Sequence, residues 1–164
     1  MKTMTKMILA ALMALPLLAG CKKGEEEQVV EKPAMSAPTT DDRGAWVEYL
    51  NDVVPRNMGA IANQPYVYFL PGESEPDFQD QYDRMLEKAQ TDIARGILSG
   101  NMLAYASPAS AKMADIVIAS FEGVEPDTMK GVRLVFIGKP ADGERVRAAV
   151  EPAGVTYVFV DTSK

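Results

Sequence analysis

The sequence predicts a small three-layer α/β domain, with about four mainly parallel strands flanked by helices. Beyond residue 44, short runs of aromatic and β-branched residues alternate with longer segments in which apolar residues recur every three or four positions. Strands that alternate with helices are joined by right-handed crossovers, which place successive strands parallel. The chain has no histidine and one cysteine, so neither a His/Cys metal site nor a disulfide inside the domain can replace a packed core.

The first helix and the first strand open the domain. Apolar residues recur at helical spacing over residues 45–54, and Pro55 is expected to end that helix. The run "YVYFLP", residues 66–71, is aromatic and β-branched and is bounded by prolines, which predicts a strand. Three aromatic residues are expected to pack the helix onto the sheet, with an exposed contact patch as the alternative: Trp46, Tyr49 and Tyr66.

The longest predicted helix follows and covers residues 78–97. Its apolar residues recur at intervals of three and four, which is typical of a helix with one buried face. Ser74 and Asp77 match the spacing of a capping box, and Gly100 fits a C-cap, so we expect the helix to be bounded by these residues. The acidic residues around its start are expected to cap the helix or face solvent rather than to bind a metal.

The middle of the domain is predicted to be a strand followed by a helix. Residues 102–106 form the strand, and Ser107 with Pro108 make a favourable N-cap and first residue for a helix that ends near Gly123. The centre of that helix, residues 116–118, is β-branched and could instead be a strand.

The last part of the domain repeats the alternation of strand and helix. A buried-type strand is predicted over residues 132–138, a short helix over residues 141–154 and the last strand over residues 155–162. The strand order could be mixed, as in thioredoxin-like folds, although the CxxC motif of that family is absent.

The first 21 residues have the organisation of a secretory signal. Two lysines precede an apolar run over residues 7–18, small residues follow, and the only cysteine of the chain is Cys21. The apolar run has about a dozen residues, whereas a transmembrane helix needs roughly 20, so a spanning anchor is the weaker interpretation. The sequence "LAGC", residues 18–21, resembles the lipobox of bacterial lipoprotein signal peptides. The alternative is an ordinary secretory signal with a chance cysteine near its cleavage site.

The resemblance to lipoprotein signal peptides implies that the chain is cut before Cys21 and that its thiol carries a diacylglyceryl group. Cys21 would then hold the protein to membrane lipid, because two or more acyl chains anchor stably. Inner-membrane lipoproteins often have Asp after this cysteine, so Lys22 favours the outer membrane, with the domain facing the periplasm. The expected organisation is a signal peptide at residues 1–20, a lipidated flexible tether at residues 21–44 and a globular domain at residues 45–164.

Charge and composition exclude several functions. The chain has a net charge of −6, and removal of residues 1–20 takes away two lysines and no acidic residue, which leaves −8. An acidic domain has no general attraction to nucleic acid, because phosphate contacts need clustered lysine and arginine. Without histidine or a free thiol, Ser-His-Asp and Cys-His catalysis and thiol–disulfide exchange are excluded. No nucleotide-binding or phosphate-binding motif is present, so no cofactor is expected.

Candidate ligand-binding residues follow from the predicted sheet. Ligands of open α/β sheets bind beyond the carboxyl ends of the strands. The polar residues at the ends of the four predicted strands are Ser74, Ser107, Lys139 and Asp161. Together they could bind a small anion or support a Ser–Lys pair. The structural alternative explains them separately, with the two serines as helix caps and the two charged residues as ordinary surface groups.

The functional prediction is a membrane-anchored envelope lipoprotein whose periplasmic domain is a non-catalytic protein-binding module. An envelope or secretion assembly component and a toxin-immunity protein both fit this class, since acidic inhibitors associate rapidly with basic targets. The alternative is a small-ligand-binding or hydrolytic domain, and it requires Ser107, Lys139 and Asp161 to converge in one pocket. A structural role as an abundant spacer of the envelope also fits the sequence.

Overall fold

A computed structural model of the protein describes residues 33–164. The predicted signal peptide, Cys21 and the first part of the predicted tether lie outside the described residues. Along the described chain, four strands alternate with four α-helices, and every strand pairs in parallel with its neighbour. The predicted α/β fold with about four mainly parallel strands is therefore confirmed.

The helices and strands are numbered in chain order. Their bounds are α1 Arg43–Arg56, β1 Tyr66–Phe69, α2 Phe78–Arg95, β2 Met102–Ala106, α3 Ser110–Phe121, β3 Arg133–Gly138, α4 Pro140–Val150 and β4 Thr156–Asp161, with a short 3-10 helix at Glu151–Ala153. The strands lie in the order β1-β2-β3-β4 in one sheet, so the mixed order that the sequence left open does not occur.

The order of the strands decides which face of the sheet each helix covers. A right-handed crossover that always steps to the next strand in the same direction returns the chain over the same face each time. The helices α2, α3 and α4 accordingly pack together on one face of the sheet. The helix α1 precedes the first strand and covers the opposite face. The domain thus has three layers, with one helix on one side of the sheet and three on the other.

Both faces of the central strands are buried, which explains their continuous apolar sequence. All residues of β2 and all but the first residue of β3 are buried. Tyr105 and Phe136 lie beneath the three helices, whereas Ala104 and Val135 contact α1. The rings of Tyr105 and Tyr68 stack with their centroids 4.5 Å apart. Each large apolar side chain buried in this way stabilises the domain by about 1.5–3 kcal/mol.

The face that α1 covers is too wide for one helix. Four strands spaced about 4.8 Å apart span about 14 Å between the outer strand axes, whereas a helix with its side chains is about 10 Å wide. The buried side chains of α1, which include Trp46, Leu50 and Val53, cluster with those of β2 and β3. The outer strands β1 and β4 are therefore covered only in part. We call the two sides of α1 its flanks: one lies along β1 and the other along β4.

The helix α1 is longer at both ends than the sequence predicts. Asp42 is its N-cap, because Asp42 Oδ1 accepts the Ala45 N–H at 2.7 Å, so the helix starts two residues earlier than expected. The prediction that Pro55 ends the helix is wrong, since Pro55 lies inside the last turn. A proline there removes a single N–H donor, and the carbonyl that loses its partner belongs to an exposed residue that water can reach.

The predicted caps of the longest helix are also corrected. Asp77 is at the N-cap of α2, but Ser74 does not cap the helix, because its hydroxyl donates to Asp41 Oδ2 at 3.0 Å. The helix ends at Gly96 rather than at Gly100. Gly96 has a φ of 85°, a conformation that glycine adopts without strain and that carries the chain out of the helix.

The helix α3 starts later than the sequence predicts. Ser107 accepts the Ala109 N–H at 2.9 Å, and Ala109 rather than Ser107 is at the N-cap. Ser107 therefore stabilises the turn between β2 and α3 instead of the helix itself. Residues 116–118 lie within α3, so their helical interpretation is confirmed over the strand alternative.

The helix α4 approaches β4 through a glycine. A Cβ atom added at Gly143 would lie 2.6 Å from Phe159 Cδ2, which is closer than real side chains come. The Gly143 carbonyl accepts the Tyr157 hydroxyl at 2.8 Å. The absence of a side chain at this position therefore lets the helix lie close to the strand.

We expect Gly143→Ala to destabilise the domain by about 1–3 kcal/mol, although alanine is normally the better helix former. The added methyl group must displace the Phe159 ring or lift α4 from the sheet. Urea unfolding followed by circular dichroism measures the change. The matched control is Gly44→Ala at an exposed position in the first turn of α1, where the nearest atom to an added Cβ is Asp42 Oδ1 at 3.3 Å and we expect a change of about 0.5 kcal/mol or less. Equal effects of the two substitutions would contradict this packing.

Candidate functional site

The carboxyl ends of the four strands lie at one edge of the sheet, because all four strands are parallel. Open α/β sheets usually form a binding crevice where the strand order reverses. The described sheet has no such reversal, since its order is β1-β2-β3-β4. A cavity at this edge therefore needs a wall from another part of the chain.

Residues 33–42, which we call the strap, provide that wall. Near one end of the strap, the Met35 N–H donates to Asp52 Oδ2 on α1 at 3.0 Å. Near its other end, Asp41 accepts the Ser74 hydroxyl in the loop after β1. The strap therefore crosses the edge of the sheet before α1 begins. The described end of the predicted tether is packed on the domain, whereas residues 21–32 lie outside the described residues.

The strap also fills the flank of α1 along β4. Burial, followed by the nearby carboxylates of Asp52 and Asp161, raises the pKa of Tyr49. Thr162 and Ser163, which follow β4, line the same cavity as strap residues 38–41, and Met35 is bonded to Asp52, so the strap runs on the β4 side of α1. Met35 and Ala37 are partly buried against the same apolar cluster. The strap thus completes the layer that α1 alone is too narrow to form.

A cavity of about 300 Å³ lies between the strap and the strand ends. Strap residues 38–41 form one wall, and Ser107, Lys139 and Thr162 belong to the opposite side. Trp46 also lines the cavity, and its indole N–H donates to a strap carbonyl, that of Thr40, at 2.9 Å. We call this space the strand-end cavity.

Two of the four predicted site residues line the strand-end cavity. Ser107 is buried there, and Lys139 is exposed, with its backbone N–H donating to Ser110 Oγ at 2.8 Å. Among the described residues, no hydrogen bond joins the Ser107 hydroxyl to the Lys139 ammonium group. This arrangement therefore does not form a Ser–Lys catalytic pair. A hydroxyl and an ammonium group in one cavity can still contact a small anion.

The other two predicted residues are used elsewhere. Ser74 is engaged with Asp41 at the end of the strap and does not line the cavity. The Asp161 carboxylate accepts the hydroxyl and the backbone N–H of Ser163, which borders the cavity. These hydrogen bonds lower the pKa of Asp161, so the group stays ionised near neutral pH. An ionised, internally bonded carboxylate is not suited to act as a general acid there.

A second surface lies on the other flank of α1, beside β1. It is a groove of about 320 Å³, which we call the α1–β1 groove, and no charged side chain lines it. Its lining residues are Val47, Leu50, Asn51, Val54, Pro55, Pro65, Val67 and Phe69. The strap covers the flank of α1 along β4, whereas no described segment covers the groove on the flank along β1.

Two apolar side chains that line this groove are about half exposed. Val47 and Val67 are each 45% exposed. Tyr66 is 46% exposed but does not line the groove, because side chains alternate along β1 and Tyr66 shares the opposite face of the sheet with Tyr68. Trp46 and Tyr49 are buried against the sheet as expected, whereas Tyr66 has the exposure that the contact-patch alternative requires. Within the described sheet β1 pairs only with β2, so its other edge is unpaired.

A group of titratable side chains lies under α2 on the opposite face of the sheet. The Tyr68 hydroxyl donates to Asp92 Oδ2 at 2.8 Å, and the Lys88 ammonium group also contacts this carboxylate. Burial, and then the hydrogen bond to Asp92, raises the pKa of Tyr68. The neighbouring Tyr105 hydroxyl is buried and has no hydrogen-bond partner, and burial raises its pKa. Both tyrosines therefore remain protonated near neutral pH, and their rings pack in the core beneath α2.

Comparisons with known proteins do not identify a relative of this chain. No protein-family model, no curated protein and no solved structure matches the chain. Within residues 33–164, no helix has the length and apolar character needed to cross a bilayer. The same residues contain no cluster of acidic or cysteine side chains that is placed to hold a metal ion. Function is therefore inferred from the sequence and the geometry of this chain.

Sequence reasoning missed the strap and the part of Trp46 in lining the strand-end cavity. An N-capping Asp42 three residues before the start of the predicted helix was one available signal. The apolar residues Met35 and Ala37 inside an otherwise polar segment were another. The contacts themselves join residues far apart in sequence, such as Asp41 and Ser74, and periodicity carries no information about them.

The contact between α2 and Tyr68 predicts a pH dependence of stability. The hydrogen bond from Lys88, assisted by that from Tyr68, lowers the pKa of Asp92 below its usual value of 3.8. A lowered pKa in the folded state stabilises the domain above the unfolded pKa, and this contribution is lost as pH falls through the folded pKa. The pair is partly exposed, so the contribution is about 1 kcal/mol or less.

We therefore expect Asp92→Asn to reduce the free energy of unfolding between about pH 5 and 7 and to have a shrinking effect below about pH 4. Lys88→Gln is the companion variant, because it removes the main cause of the lowered pKa and should weaken the same pH dependence. Urea unfolding at a series of pH values measures both. A difference between wild type and Asp92→Asn that grows in acid would contradict the assignment.

Proposed function

We propose that this chain is a lipid-anchored protein of the bacterial cell envelope, at the outer membrane and facing the periplasm, whose domain binds another protein without catalysis. The lipid anchor is supported by the lipobox-like sequence that ends at Cys21. Protein binding is supported above all by one observation: an uncharged groove lies directly beside the unpaired edge of β1.

The edge of β1 has the properties of a pairing surface. Natural edge strands are usually protected by charged residues, bulges or covering segments. The sequence of β1, "YVYF", has no charged residue, and Tyr66 and Val67 expose nearly half of their surface. An extended chain can pair with such an edge through its backbone and place alternate side chains into an adjacent pocket. The α1–β1 groove is that pocket.

The occupant that fits is a partner segment without helix that has apolar residues at alternate positions. The strap is a precedent within the same domain, because it is a non-helical segment that fills the β4 flank of α1 with Met35 and Ala37. A partner segment along β1 would fill the corresponding flank between Val47 and Val67. It would also satisfy the free backbone groups of the edge.

Charge supports a partner that is basic around this apolar segment. The chain has a net charge of −6, and association with a basic surface would be accelerated by long-range attraction. A component of an envelope or secretion assembly and a toxin that is neutralised by an immunity protein both match this description. The identity of the bound protein distinguishes them.

The strand-end cavity supports a second candidate function, the binding of a small anion. Ser107 and Lys139 line the same 300 Å³ space. Hydrolysis is not supported, because the Ser107 hydroxyl is engaged by the Ala109 N–H and has no base bonded to it. Small-molecule binding remains the function to test if the groove captures no protein.

Capture from an envelope extract tests the groove. The immobilised full-length chain should retain one dominant protein, and Val67→Glu should lower its amount about tenfold or more, because a carboxylate placed in an apolar interface costs over about 1.4 kcal/mol. The control is Leu98→Glu, since Leu98 is 77% exposed and lies outside the groove. Circular dichroism verifies that both variants fold. Equal capture by the two variants, or no captured protein, would exclude the groove as the binding site.

Membrane fractionation tests the anchor. The wild-type protein should sediment with the outer membrane, and Cys21→Ser should release it into the soluble fraction because the lipid is lost. Lys22→Asp is the matched variant, and we expect it to stay membrane-bound but to move toward the inner membrane. A soluble wild-type protein would establish the ordinary secretory signal instead.

A further inference from the structure

We propose that the strap is a latched cover over the strand-end cavity, and that breaking the contact between Asp41 and the loop after β1 opens the cavity without unfolding the domain. The proposal concerns residues 33–42 and does not depend on the lipid anchor or on the protein-binding groove. It assigns a conformational role to the segment that leads into the domain.

The strap is held more weakly than the elements it covers. Asp42, the last strap residue, is bonded to the first turn of α1 as its N-cap. The hydrogen bonds from the preceding strap residues to the rest of the described domain each involve a side chain: Met35 with Asp52, Thr40 with Trp46, and Asp41 with Ser74. The strands beneath it are joined by backbone ladders and are buried on both faces. Segments with few backbone bonds and partly exposed side chains open locally at far lower free energy than the core. The strap can therefore detach while the sheet stays folded.

The latch depends on a glycine in the loop after β1. A Cβ atom added at Gly72 would lie 2.2 Å from the Asp41 Cγ atom and 2.6 Å from Asp41 Cβ, so Asp41 occupies the space that any other residue would need. Gly72 does not have the positive φ that disfavours alanine. Alanine at this position would thus expel Asp41 without straining the backbone of the loop. The Ser74 hydroxyl would lose its acceptor at the same time.

Lifting the strap would uncover Trp46 and Ser107. Trp46 is only 2% exposed, and the carbonyl that accepts its indole N–H belongs to the strap. Ser107 is buried in the same cavity. The closed strap therefore limits access to the cavity.

Tryptophan fluorescence of the full-length chain tests this cover, because Trp46 is the only tryptophan. Gly72→Ala should shift the emission to longer wavelength, raise acrylamide quenching several-fold and accelerate hydrogen exchange in residues 33–42. Exchange in β2 and β3 should keep its wild-type protection. Unchanged quenching and unchanged strap exchange would overturn the proposal, as would equal loss of protection in the strap and in the central strands.

A second variant decides the question if Gly72→Ala does not fold. Asp41→Gly removes the latch without adding an atom, and it should expose Trp46 in the same way. Ser36→Gly is its matched control, because Ser36 is an exposed strap residue that makes no hydrogen bond within the described chain. The double variant Asp41→Gly/Gly72→Ala should resemble Asp41→Gly, since the crowding is gone. Equal quenching in Asp41→Gly and Ser36→Gly would overturn the latch.

Discussion

The winding of the sheet in a single direction is the constraint on which the rest of the structure depends. Each crossover steps to the next strand on the same side, so all three crossover helices must lie on one face. Only the segments that precede β1 in the chain can pack on the opposite face. These segments are α1 and the strap, and together they cover that face incompletely. The same winding also removes the crevice that a reversal of strand order would create.

The two flanks of α1 show two outcomes of this incomplete cover. Along β4 the strap packs Met35 and Ala37 beside the helix and continues across the strand ends, which encloses the strand-end cavity. Along β1 no described segment does the same, and Val47 and Val67 remain exposed. Exposed apolar residues beside a free strand edge are costly in a soluble monomer, because they invite non-specific pairing. A dedicated partner for this flank would account for their presence.

Features that depend on neighbouring residues could be predicted from the sequence, whereas features that depend on contacts between distant residues could not. The two central strands were predictable because burial on both faces leaves continuous apolar runs, as in residues 102–106 and 134–138. The caps assigned to Ser74 and Ser107 failed because their hydroxyls serve a distant strap residue and a turn. The rule for strand ends brought Ser107 and Lys139 to one cavity, but the strap that closes it depends on long-range contacts that no periodicity records.

The central claim is that the uncovered flank along β1 is where this domain meets a protein partner. Photo-crosslinking in living cells that produce the protein natively tests it most directly, with a photoreactive amino acid at position 67 in the groove and, separately, at position 98 outside it. We expect one dominant crosslinked protein from position 67 and none from position 98. The same products from both positions, or no product from position 67 in cells that contain the folded protein, would contradict it.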